Sequence, residues 1–362
     1  MQNKGSLTIY TIAHFFVDAV CFFMLFGAVR NSIGDSQVFI YGLLVYNAVA
    51  FGMQPLIGML CDKLHALSIS TWGCFLLAMG ALLGGVPWLS ICLCGLGNAA
   101  FHVGGGIDSL VYADGKLARS GIFVASGALG VATGTLAASG GWLHGSPMEA
   151  SLPVLLMGIC GLVCVFFLRD IPAEEYSVKR FGATDAARSD SFVILICAAA
   201  VVVRSFAGAN VQTQWGDAEW LVLIPAACAC AGKVLGGILS DRFGASFVAA
   251  VSLLLSVPFI ALLSAYPVCC AIGLVLFNMA MPITLCAIAE RLPSRPGLAF
   301  GITTLGLLIG AVPMFLFVLP ETARTIAVAL LTLGAAVGLR FALGAVKLPF
   351  AKAGRGSSAL PQ

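Results

Sequence analysis

Gly58-Met59-Leu60-Cys61-Asp62-Lys63 and Gly237-Ile238-Leu239-Ser240-Asp241-Arg242 are two copies of one pattern, Gly-x-Leu-x-Asp followed by a cation. Each copy closes a long apolar stretch and sets an acid and a base just past it. One copy in each half of an apolar chain points to a duplicated membrane protein. A second alignment agrees. Residues 101–134 match 277–310 without a gap, at an offset of 176. Phe101-His102 meets Phe277-Asn278, Ala113-Asp114 meets Ala289-Glu290, Arg119-x-Gly121 meets Arg295-x-Gly297, Leu129-Gly130 meets Leu305-Gly306, and Gly134 meets Gly310.

Composition agrees with a bilayer as solvent. Of 362 residues, 60% are hydrophobic and 10% charged, against about 45–50% and about 25% in soluble domains. A lipid environment favours apolar side chains on the outside as well as the inside. The net charge of +3 is small and spread over short loops, so no nucleic-acid partner is expected. Twelve of the thirteen cysteines lie in apolar stretches, where Cys packs as a small hydrophobe; Cys61 sits in the first motif. No His or Cys cluster has zinc spacing, so neither a metal nor a cofactor is expected. There is no nucleotide-binding loop, no His-Glu-x-x-His and no Ser–His site, which argues against an enzyme and against direct use of ATP. The N-terminal apolar stretch reads as a first spanning helix that also serves as the insertion signal.

A helix needs about 20 apolar residues to cross the bilayer. Such segments fall at 6–29, 38–60, 68–86, 88–112, 121–141, 151–168, 192–212, 218–239, 246–265, 268–289, 298–318 and 324–345. The polar stretch from Arg169 to Asp190 divides six from six. The expected organisation is an N-terminal bundle (1–168), a linker (169–191), a C-terminal bundle (192–346) and a tail (347–362). With the N-terminus inside, the inner loops hold Lys4, Lys63, Lys116, Arg119, Arg169, Lys179, Arg180, Arg188, Arg242, Arg291, Arg295, Lys347, Lys352 and Arg355. The outer loops hold only Arg30 and Arg324. The positive-inside rule then places both termini, the linker and both motifs in the cytosol, with the chain in the inner (plasma) membrane.

Gly-x-Leu-x-Asp-Lys/Arg, once per half, resembles the signature of the major facilitator superfamily. The resemblance implies an all-α integral membrane fold of twelve transmembrane helices. They form two pseudo-symmetric six-helix bundles related by an axis along the membrane normal, working as a monomer. In that family each motif Asp meets the N-terminus of a helix in the opposite half. Here those helices would begin near Gly297 for Asp62 and near Gly121 for Asp241. Gly58, Asp62, Lys63, Gly237, Asp241 and Arg242 would then form a conformational latch. In the same family helices 1, 4, 7 and 10 line a central cavity. Drug–proton antiporters of the family carry an Arg early in helix 4 and a Pro in the helix 5 glycine motif; here Leu93 and Thr135 stand there. His14-Phe15-x-x-Asp18 and Phe101-His102 resemble the fosmidomycin-resistance-like branch, with Val103 where Pro is usual.

Ionisable residues at membrane depth are expensive and mark function by default. His14 and Asp18 lie four apart on one helical face. They fit a proton site or a hydrogen-bonded pair joining helix 1 to a neighbour. Helix 4 carries Asn98, His102 and Asp108, with Gly104 to Gly106 between; His102 matches Asn278 in the repeat. Asp108 is a further candidate for the proton or for a gate. Arg204, with Asn210 after it, puts a permanent charge near mid-membrane in helix 7. It needs an anion, either Asp18 or the substrate. Lys233 either snorkels or joins an ion pair between the halves.

The expected substrate-binding set is Arg204, His102, Asn98, Asn278 and Asn210; the proton-coupling set is His14, Asp18 and Asp108. The sequence reads as a secondary transporter of a small polar or anionic organic molecule, exchanged for protons. Proton symport or uniport uptake and a transport-inactive receptor or scaffold are the alternatives.

Overall fold

With no water to satisfy it, backbone in a bilayer is forced into helices or closed barrels; among the described residues no strand occurs. The computed structural model describes residues 2–65, 68–168, 171–185, 187–211, 215–216 and 218–344, with side chains from Gly5 onward. The side chain of Lys4, together with Arg169, Lys347, Lys352, Arg355 and the tail 347–362, lies outside the described residues.

The first half comprises α1 (Gly5–Ile33), α2 (Ser36–Leu64), α3 (Ile69–Leu82), α4 (Pro87–Val111), α5 (Leu117–Ser139) and α6 (Met148–Phe167). The second comprises α7 (Asp190–Asn210), α8 (Glu219–Phe243), α9 (Ala245–Leu262), α10 (Pro267–Arg291), α11 (Pro296–Leu316) and α12 (Glu321–Leu343). Eleven of the twelve are long and apolar enough to cross a membrane. The exception is α3. The sequence suggests a span over 68–86, but the helix has only 14 residues, about 21 Å at 1.5 Å per residue. Gly84-Gly85 lies in the turn that follows, and Pro87 opens α4. Glycine disfavours helix interiors, whereas proline suits a first helical position.

Asp62 and Asp241 are not loop residues. Each sits in the last turn of its helix, which runs on to a C-cap with positive φ: His65 at 55° after α2, and Gly244 at 92° after α8. Asp62 accepts the backbone N–H groups of Gly297 and Leu298 at 2.8 Å each. Asp241 accepts those of Leu117 and Ala118 at 2.9 and 3.1 Å. A carboxylate at a helix N-terminus meets unpaired donors and the positive end of the dipole. The second contact falls one turn before the expected Gly121, because α5 begins at Leu117. Lys63 and Arg242 stay exposed beside these contacts.

Glycine lets the two halves touch backbone to backbone. A Cβ on Gly58 would land on Gly297, and one on Gly301 would land on Pro55, so α2 and α11 have no room for a side chain between them. The α5–α8 seam has the same build, with Gly121 against the Lys233 carbonyl and Gly237 against Leu117 and Ala118. Within the halves the repeat recurs. Gly130 and Gly134 seat α5 on Phe15 and Ala19 of α1, and their counterparts Gly306 and Gly310 seat α11 on α7.

The linker residues 171–185 form a strap across the latch end. Tyr176 donates to Asp62 at 2.9 Å. Lys179 pairs with Asp114 at 2.6 Å and Arg180 with Glu290 at 3.0 Å. Asp114 and Glu290 are repeat-related, so consecutive cations of the strap hold equivalent acids of the two halves. Burial and the neighbouring Asp62 carboxylate push the Tyr176 phenol well above its ordinary pKa. It therefore stays neutral and able to donate. With all these contacts formed, the latch end is closed.

Asp62→Asn or Asp241→Asn leaves one acceptor oxygen for two N–H donors and removes the charge. The expected loss is about 1–2 kcal/mol per latch, roughly a 5- to 30-fold shift toward the state open at that end. Distance spectroscopy between the latch ends of α2 and α11 reports the populations. Unchanged distributions in both variants would remove the latch role.

Candidate functional site

The α-helical repeat puts His14 above Asp18 on α1 and Asn98 above His102 on α4, each pair four residues apart on one face. The packing of α1 against α4 and α5 brings the four side chains together, 88 residues apart in sequence between the two histidines. His14 Nδ1 lies 2.9 Å from the Phe123 carbonyl of α5. His102 Nδ1 lies 2.9 Å from the Asn98 carbonyl one turn back. Carbonyls only accept, so both Nδ1 atoms carry hydrogen. Each neutral ring therefore offers a lone pair at Nε2.

Those two Nε2 atoms face each other at 2.9 Å. Asp18 Oδ2 lies 3.2 Å from His14 Nε2, and Asp18 Oδ1 lies 3.6 Å from His102 Nε2. Asn98 Nδ2 donates to Asp18 Oδ1 at 2.9 Å, which fixes the carboxylate. The four residues are 2–7% exposed. Three electron pairs thus converge on one dry point. Without a positive charge they repel; one proton between the rings turns the contact into N–H···N and balances the Asp18 charge. The arrangement has the chemistry to accept one cation.

Gly127 makes the close approach possible. A Cβ there would press on both Asp18 Oδ2 and His14 Nε2. On the latch side the site is sealed by Phe300 of α11. Its ring lies 6.4 Å from Phe123, which lies 4.9 Å from His14, and it fills the space beside Gly106. Each glycine of the 104–106 run admits a different neighbour: Ser70 at Gly104, Phe123 and Tyr10 at Gly105, Phe300 at Gly106. Phe123 and Phe300 were not singled out from sequence, and Gly127 stood out only as one of the glycines of helix 5, with no contact assigned to it. The glycine run was the one signal that a bulky group must come close.

The other expected site residues lie apart from this cluster. Asp108, further along α4, interacts with Tyr10, whose hydroxyl also meets Ser70. Arg204 borders a very small cavity of about 10 Å³ inside the second half, with Thr284 and Thr332. Its Nε and the Thr332 Oγ1 have no hydrogen-bond partner. No described carboxylate forms an ion pair with Arg204, so of the two anions offered from sequence, Asp18 or the substrate, Asp18 is not its partner in this structure. Asp18 is already engaged by two histidines and Asn98 in the other half. Asn278 donates to its own Leu274 carbonyl at 2.8 Å, at the point where α10 breaks. Pro282 causes the break, since it has no N–H to give to residue 278. Asn210 borders a different cavity, with Glu321 and Arg324. Lys233 neither snorkels nor joins a carboxylate. It crosses between the halves and donates to the Val124 carbonyl at 2.8 Å, next to the carbonyl that holds His14.

Neither a described protein family nor a curated protein matches this chain by sequence. Solved structures do match. The E. coli fucose:proton symporter FucP, a Major Facilitator Superfamily transporter, has a TM-score of 0.67 at 15% identity, covering 92% of this chain and 98% of that one. The human organic anion transporter MFSD10 (TETRAN) has a TM-score of 0.62 at 12% identity, covering 94% and 98%. A bacterial homologue of the iron transporter ferroportin, outward-facing, has a TM-score of 0.57 at 16% identity, covering 93% and 98%. At these identities the likeness shows the fold, which is that of the major facilitator superfamily.

Gly127→Ala should force α1 away from α5 and separate the two Nε2 atoms. A stability loss of about 1–3 kcal/mol is expected from overpacking, with loss of the shared-proton signature in the histidine ring nitrogen NMR. A variant that keeps both stability and spectrum would show that the glycine is not needed for the cluster.

Proposed function

We propose that the chain is a secondary transporter that moves a small polar or anionic organic molecule by alternating access, in exchange for protons. The observation that carries the proposal is the cluster of three lone pairs in a dry, membrane-deep site. Such a site is expensive unless a cation comes and goes. The fold supports movement of two halves, and the latches are interactions of a size that can break. FucP is a proton symporter and MFSD10 an organic anion transporter; both chemistries suit the charges found here.

The two halves divide the work. The first half holds the proton on His14, Asp18 and His102. The second half offers Arg204, a permanent cation with no described carboxylate partner. Arginine prefers a planar, bidentate anion such as a carboxylate or phosphate. Lys233 lies within electrostatic reach of both Asp18 and Arg204, and its bond to Val124 spans the α5–α8 seam. Loss of the proton leaves the cluster negative and draws the Lys233 amine toward Asp18, away from Val124. Proton occupancy is thereby linked to a contact between the halves. Symport is the second reading, favoured by the likeness to FucP, and it differs in whether proton and substrate bind together or in turn.

His14→Gln and Asp18→Asn should abolish the response to an imposed proton gradient in proteoliposomes while substrate exchange continues. If both variants still drive uphill transport with unchanged pH dependence, the proton site lies elsewhere, with Asp108 next.

Arg204→Lys keeps the charge but loses the fork. It should weaken substrate binding by roughly 10- to 100-fold, the worth of a hydrogen bond to a charged group. Wild-type affinity in Arg204→Lys and Arg204→Ala alike would make Arg204 structural and remove the support for an anionic substrate.

A further inference from the structure

We infer that His14, Asp18 and His102 also form a binding site for a divalent first-row transition metal ion, which takes the place of the shared proton. Two imidazole nitrogens and one carboxylate oxygen are a donor set suited to zinc, ferrous iron, manganese or cobalt. Calcium and magnesium prefer oxygen alone. Sequence spacing gave no hint of it, because the ligands come from helices far apart in the chain.

The geometry fits before any ion is added. Metal–nitrogen distances of about 2.0–2.1 Å put adjacent ligands about 2.9 Å apart at right angles and about 3.4 Å apart in a tetrahedron. The two imidazole nitrogens are 2.9 Å apart, Asp18 Oδ2 is 3.2 Å from His14 and Asp18 Oδ1 is 3.6 Å from His102, and one ligand atom from each of the three residues lies within 4.8 Å of the other two. The surroundings match as well. A metal-bound histidine usually donates its other ring N–H to a carbonyl or carboxylate, which fixes the tautomer and turns the lone pair toward the ion. Both rings already do so, through Phe123 and Asn98. The ligating carboxylate is itself hydrogen-bonded, by Asn98. Three protein ligands leave further coordination positions open. Gly127 keeps the α5 side of the triad free of a Cβ that would press on two of the three ligand atoms.

Proton and metal compete for the same electron pairs, so each ion bound must release the shared proton. Binding can be read without any transport, so its failure and the failure of the transporter reading are separate results. The test is titration of the metal-free, full-length protein in detergent with Co²⁺, then Zn²⁺. One Co²⁺ per chain should bind, with visible ligand-field bands and release of about one proton, and Zn²⁺ should displace it. His14→Gln and His102→Gln should each lower affinity at least about 100-fold, the upper end of what even supporting residues are worth. His144→Gln, which alters an exposed histidine paired with Glu149, should leave binding unchanged. No saturable binding by the wild type, or wild-type affinity in both glutamine variants, would overturn the site. If those variants fail to fold, X-ray absorption on the Zn²⁺-loaded wild type decides. Two imidazoles and one carboxylate support the site, and any other ligand set overturns it.

Discussion

A charge buried in an apolar bundle must find its counter-charge or its donors inside the protein, because the solvent supplies neither. That constraint explains most of the specific contacts in this chain. At the latch end, where water also reaches, the half-buried Asp62 and the exposed Asp241 are met by the free N–H groups at the starts of α11 and α5. Glu290 is met by Arg180 and by the Ala183 N–H of the strap. Asp18 is met by Asn98 and faces the imidazoles of His14 and His102. Arg204 differs, since its Nε is buried without a partner and no described carboxylate pairs with it, whereas Arg291, whose Nε is also unpartnered, pairs with Asp190. The charges already met hold this structure together. The cluster at Asp18 and the unpaired Arg204 are the two places where the proposed function sets its ligands.

The second constraint is distance. Helices in lipid gain little from apolar burial alone, and association depends on close packing and hydrogen bonds. Glycines supply the closeness. The same offset that aligns the two halves in sequence aligns Gly130 and Gly134 with Gly306 and Gly310, and each pair seats its helix on the first helix of its own half. Gly121 and Gly297 are also repeat-related, and both lie on seams between the halves. The scaffold is therefore duplicated. The chemistry is not: His102 faces its ring partner while its counterpart Asn278 bonds its own helix, and Gly127 is matched by Thr303. At a few inward positions the halves differ: one holds the His14, Asp18 and His102 cluster, and the other holds Arg204 with no described carboxylate beside it.

Control of the latch end is shared between helices and linker. Asp62 is common to both, accepting two N–H groups of the opposite half and the Tyr176 hydroxyl of the strap. The strap, through Asp62, Asp114 and Glu290, and the glycine seams together join the two halves at this end.

The sequence by itself determined the class of fold. Apolar length, the spacing of breaks and the doubled Gly-x-Leu-x-Asp motif are local properties, and a helix is set by local hydrogen bonds and period. It also determined that His14 and Asp18 share a face, since a helix fixes neighbours four apart. Local signals failed where the terminus of a helix mattered: α5 began one turn early, α3 stopped short, and both motif aspartates proved helical. Only the tertiary structure decided what meets across helices. It placed His102 against His14, set Lys233 on Val124, put Tyr176 on Asp62 and Phe300 beside Gly106, and left Arg204 without Asp18. The absence of zinc spacing was true of the sequence and uninformative about the site. The reason is that rotation and crossing of packed helices are set by small residues and buried charges acting together. No window of sequence contains both partners of such a contact.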